Sequence, residues 1–391
     1  MGGVLNYIGT TIAVQLRRRF CSTPFGSYTK ALVDEGPGSL EGVGTPAKFT
    51  ESESLSDRVV FQDLLAVLRT CRRKRSSDPK DKVFGILGVL TERIRNEIKV
   101  DYSIAVKDVY INVFRTVVEK TKSLDILFEA IHFPTYTNNN NLPSWVPDWS
   151  HLWCSSPIAR SNTFSASGKS RADVEFMERG KLRISAIPLG SIKEHGTAVG
   201  TQCTVKDYLM AFLQWRASLS HFFDGGTEHF LRWVKQRFCL ALSLRPTPEG
   251  EETTEAWMDT CYHIFASTIR NDLPKLHMDD ELEQYVDIRS GFKMDPGERR
   301  LFLQKNFGSK MMCRCLCITD EKRVGMGTGL MTQDDVVVVP LGCSTPVVLR
   351  REGDEYRFIG DVYIHGYMDG RAVEECNKDA VGKRVRSYVI H

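Results

Sequence analysis

Apolar positions recur every three to four residues between 106 and 118, where Val106, Val109, Tyr110, Val113, Phe114, Val117 and Val118 form one stripe. Lys107, Asp108, Asn112, Arg115, Glu119 and Lys120 fall on the other side, so the pattern predicts an amphipathic helix with Ser103 as its cap. Residues 57–75 repeat the pattern through Val60, Leu64, Leu65, Val67, Leu68 and Cys71 behind Ser56. A shorter version at residues 124–131 carries Leu124, Leu127, Phe128 and Ile131 behind Ser123. Helices are also expected at residues 205–219, 228–242, 255–270, 279–286 and 296–306, with an acidic solvated loop "RPTPEGEETTE" between the second and third.

The period then shortens to two. "MCRCLCIT", "DDVVVVPLG", "TPVVLRRE" and "YRFIGDVYIHG" are β-rich runs at the close spacing of a small antiparallel barrel or sandwich. The "EGDE" link around Gly353 reads as a hairpin. An earlier run, "KLRISAIPLG", alternates Leu182, Ile184 and Ala186 and is expected to complete the same sheet, with the helices inserted between. The fold class is therefore α+β.

Two segments break these periods. "DPKDKVFGILGVL" at residues 78–90 places Asp78 as a helix cap, Pro79 at the first helical position and Asp81 where it favours the helix dipole, a start worth about 1 kcal/mol. Gly85 and Gly88 each cost about 1 kcal/mol inside a helix. They imply a short helix with a smooth face for close packing, stopped at Gly88. "NNNNLPSWVPDWS" cannot be regular, because Pro143 and Pro147 lack donors, so it reads as an ordered strap anchored by Trp145 and Trp149.

Four divisions follow: residues 1–56, poorly ordered because 36–56 are rich in Gly, Pro, Ser and Glu; 57–153; 171–375, holding the inserted helices and the β-rich part; and a tail at 376–391. Residues 155–170 form a Ser-rich loop, and no internal repeat is visible.

Composition narrows the function classes. The 391 residues are 42% hydrophobic and 26% charged, an ordinary globular balance. A formal charge of +3 does not indicate nucleic acid or membrane as a partner, and the runs Arg17 to Arg19 and Arg72 to Arg75 lack interleaved aromatics and read as solvated surface. No apolar run approaches the ~18 residues of a membrane span. At the N-terminus the arginines follow the apolar residues, the reverse of a secretory signal, and are too bunched for a mitochondrial presequence. The sixth position lacks the Ser or Thr of a myristoylation site. Eleven scattered cysteines, with no Asn-x-Ser/Thr acceptor, point to free thiols in a reducing cytoplasm.

Candidate chemistry is thin. Cys313, Cys315 and Cys317 alternate onto one strand face, but no second pair follows, so burial is expected instead of zinc. Gly168-Lys169-Ser170 ends like a phosphate loop, yet Thr163 occupies the place of its first glycine and no strand precedes it. "GMGTGL" at residues 325–330 reads as a flexible glycine turn. Gly342-Cys343-Ser344-Thr345-Pro346 lacks the closing glycine of a nucleophile elbow and reads as a hairpin turn. His365 between Asp361 and Asp369 reads as a turn histidine bonded to a carboxylate. No catalytic, cofactor or metal residue is assigned.

"DPKDKVFGILGVL", "VDYSIAVKDVYINVF" and "LPSWVPDWS" resemble, in order and spacing, the later part of the fungal heterokaryon-incompatibility (HET) domain and its downstream segment. "DDVVVVPLGCSTPVVLRREGDEYRFIGDVYIHGYMDG" resembles the ending of long proteins of that family. The likeness covers residues 57–153 and 333–371. It marks Asp78, Pro79, Asp81, Lys82, Gly85, Gly88, Trp145 and Trp149 as motif residues in structural roles. The Tyr-x-Trp-Gly-like strand and Trp-Ile-Asp/Asn-Gln segment of the family have no counterpart in residues 1–56, so the resemblance implies a member lacking the first half of a TIR-like α/β domain. The implied function is non-enzymatic non-self recognition linked to programmed cell death, through an unidentified protein partner and without a cofactor. A remnant of a TIR-like NAD-cleaving enzyme and a scaffold binding through residues 314–391 are the alternatives.

Overall fold

The computed structural model describes residues 57–72, 76–131, 141–150, 157–158, 164–200, 203–245, 251–286, 294–378 and 385–391. The segment 1–56, the cap at Ser56 and the arginines at 17–19 and 73–75 lie outside the described residues. Two compact units divide the chain: Met1–Lys122 with Asp148–Leu152, and Ser123–Pro147 with Trp153–His391. The division falls inside the Trp-Pro strap.

The described part of the first unit is helical. It comprises α1 (Asp57–Cys71), α2 (Asp81–Phe84), a 3-10 turn at Leu87–Val89, α3 (Glu92–Glu97) and α4 (Val106–Thr121). Helix α4 buries Val109, Tyr110, Val113, Phe114, Val117 and Val118, the stripe its period predicts, and packs on α1. Its cap differs from expectation. Ala105 stands at the N-cap, while Ser103 gives its backbone N–H and its hydroxyl to Asp101 at 2.8 and 2.6 Å. Asp101 competes for Ser103 locally, and the helix starts one residue beyond that turn.

The second unit contains β1 (Val174–Phe176), β2 (Leu182–His195), α5 (Val205–Phe222), α6 (Glu228–Ser243), α7 (Glu251–Asp272), α8 (Asp280–Glu283) and α9 (Pro296–Leu303). It continues through β3 (Arg314–Thr319), β4 (Val324–Thr328), β5 (Val336–Pro340), β6 (Val347–Glu352), β7 (Glu355–Ile364), α10 (Arg371–Lys378) and β8 (Arg386–Ile390). A three-residue helical turn at Ser309–Met311 precedes β3. Pairing runs β2-β3-β4-β7-β6-β5 and returns to β2, so six antiparallel strands close a ring. Strand β2 serves both neighbours because its register shifts between Pro188 and Gly190 and again between Ile192 and Glu194. At its start it also pairs with β1 and β8.

The C-terminal strands and the completing role of β2 match the alternation in the sequence. Two elements do not. The stretch read as a glycine turn is β4, wholly buried. A Cβ on Gly325 would lie 2.4 Å from the Tyr363 carbonyl oxygen, so the glycine admits the neighbouring backbone instead of bending its own. Residues 386–390, assigned to a tail, form β8 against β2.

The helices between β2 and β3 share a core with the barrel. Phe212 stacks on Phe265 with centroids 4.0 Å apart, and Tyr262 and Phe238 pack against Phe212. Helix α5 begins at Thr204 with a reciprocal cap to Asp207. No described helix is long and apolar enough to cross a membrane.

Candidate functional site

In the first unit Asp78 and Pro79 form a turn ahead of the helix, which has Lys80 and not Asp78 at its N-cap and starts at Asp81 instead of Pro79. Asp78 Oδ1 accepts the Lys80 N–H at 2.8 Å, and the Asp81 N–H closes onto the Asp78 carbonyl at 3.0 Å. The helix then lasts only from Asp81 to Phe84 and ends at Gly85. Gly85 and Gly88 are both exposed, so neither provides the smooth packing face expected. A Cβ on Gly85 would sit 2.7 Å from the Asp81 carbonyl oxygen of its own turn. Gly88 lies inside the 3-10 turn, not at a helix stop, with open space around it, and nothing in the structure explains it.

What the segment does is tie its unit together. Lys80 Nζ donates to the Tyr102 carbonyl at 2.7 Å, and Tyr102 donates its hydroxyl to Asp81 at 2.6 Å. The Phe84 ring meets the edge of Tyr102 at 5.1 Å. Tyr110 donates to the Pro79 carbonyl at 2.8 Å and stands 2.9 Å from the Ser150 hydroxyl. Lys82, 7% exposed, sends Nζ to the carbonyls of Cys71 and Arg72, each at 3.3 Å, at the C-terminal end of α1. Burial pulls the Lys82 ammonium below its usual value and Arg72 adds to this, while Cys71 and Asp148 oppose it.

Arg72 is 4% exposed with its guanidinium 4.5 Å from the Trp149 ring centre. It is part of the core, not the solvated surface its basic neighbours suggested. "DPKDKV", "VDYS", the α4 stripe and "PDWS" are thus one interlocked set, in which the polar residues satisfy backbone groups at element ends.

In the second unit Trp145 donates to the Gly180 carbonyl at 3.0 Å and packs near Phe176. Ser144 gives its N–H to the His391 carbonyl at 3.0 Å, and its hydroxyl accepts the Phe358 N–H at 2.9 Å. Arg314 and Asp361 form a bidentate pair inside the barrel at 2.8 and 3.3 Å, 3% and 0% exposed. Asp361 also accepts the Ile158 N–H.

Asp361 is therefore unavailable to His365, whose described partner is the Tyr363 hydroxyl at 3.4 Å instead of a carboxylate. Burial, then the charges of Arg237 and Arg371, push His365 down to about 4. Cys315 and Cys317 are buried and free, with burial raising the Cys315 thiol to about 12. Among the described residues no group of three or more His, Cys, Asp or Glu could hold a metal. Gly168 lies in a turn, and Ser165 beside it donates to the Met368 carbonyl at 2.8 Å. The 342–346 stretch joins β5 to β6, its Ser344 N–H donating to Asp125 at 2.7 Å.

A group the sequence reading missed surrounds Tyr367. Arg323 donates to its hydroxyl at 3.1 Å with the guanidinium 4.5 Å from the ring centre, and Arg371 lies 5.2 Å from that centre. Arg237 stacks on Trp233 nearby. The only signal in the sequence is the four-residue spacing of Trp233 and Arg237, too common on helices to single out.

Comparison with known proteins adds two findings. Residues 252–381 match the family described as "Het-6 beta-barrel domain". The chain is 23% identical over 358 residues to "Heterokaryon incompatibility protein 6, OR allele" of Neurospora crassa, covering 78% of this chain and 50% of that protein. The chain thus spans about half the length of the curated relative it matches. No solved structure matches.

Proposed function

Proceeding from these matches, which support a heterokaryon-incompatibility-type fungal protein, we propose that the chain serves non-self recognition between fungal individuals as a non-enzymatic protein that binds a protein partner in the cytoplasm and triggers cell death. The observation that carries the proposal is the likeness over 78% of the chain to a protein bearing that name. The closed barrel supports it, since a ring of paired strands with no open edge is a rigid frame for displaying recognition loops. In the first unit the interlocked motif residues act as scaffold, and no catalytic role is assigned to any of them.

Inducible expression of the whole chain in fungal strains of different incompatibility type tests this. Growth arrest in some strains and not in others is the expected result. Uniform growth in every strain would overturn it. Turnover of NAD by the purified chain would replace it with an enzymatic reading.

A further inference from the structure

We draw no further inference here: the strongest candidate, the exposed apolar surface that Val89, Val100 and Tyr102 give the first unit, is one for which nothing in the structure shows what covers it.

Discussion

Asp63 and Lys82 show how single ionisable groups set the cost of the first unit. Burial raises Asp63 on α1 to about 6, above its ordinary 3.8. The folded chain therefore favours the neutral acid, and the stability this gives is present below the unfolded value and is lost as pH rises through 6. Full burial would make the loss at most ~3 kcal/mol at neutral pH, which partial exposure reduces to about 1 kcal/mol. Asp63→Asn should raise the urea midpoint at pH 7.5 and leave it unchanged at pH 4; a variant less stable at pH 7.5 would refute the argument. Burial disfavours the charged form of Lys82 as well, but its ammonium is held by two carbonyls at the end of α1. Lys82→Met removes these two hydrogen bonds and should cost about 1–3 kcal/mol, read as faster amide exchange along α1. Unchanged exchange would mean that water replaces the ammonium. The polar turn at Asp78 was legible because it is a local bond between residues two apart, although the helix itself starts only at Asp81. The partners of Lys82 and His365 were not, because they depend on chain segments brought together by the fold.

At the scale of elements, strands β4 and β8 mark where the pattern misleads. Two glycines gave β4 the look of a turn, yet each is set by what faces it. A Cβ on Gly325 meets the fixed Tyr363 carbonyl at 2.4 Å, whereas on Gly327 the nearest atom is the flexible Met331 sulfur at 2.6 Å. Gly325→Ala should therefore cost about 1–3 kcal/mol, and Gly327→Ala less, in parallel thermal melts. Equal losses would argue against backbone proximity as the reason for Gly325. Long amphipathic helices such as α4 and α6 were legible within a residue or two, since one face meets a core whatever the topology. Strand β8 is five residues long and its alternation could not be told from a tail.

For the whole molecule, the barrel is assembled from distant parts of the chain. The family match at residues 252–381 contains β3 to β7 but neither β2, which closes the ring, nor β8. A fragment of residues 252–381 should accordingly show poor amide dispersion and no cooperative melt, while residues 123–391 fold; a well-dispersed short fragment would show that β2 is dispensable. That β2 completes the sheet was legible in its alternation, but not that it pairs on both sides, because the register shifts at Pro188–Gly190 and Ile192–Glu194 are set by the distant strands that face it. The wait this imposes is felt during synthesis. Strand β2 leaves the ribosome complete at His195, but its partner β3 begins only at Arg314, on the order of ten seconds of translation later. Throughout that interval the part of β2 that will pair with β3 and β5 has no partner while the intervening helices form first, which leaves its edges open to other chains.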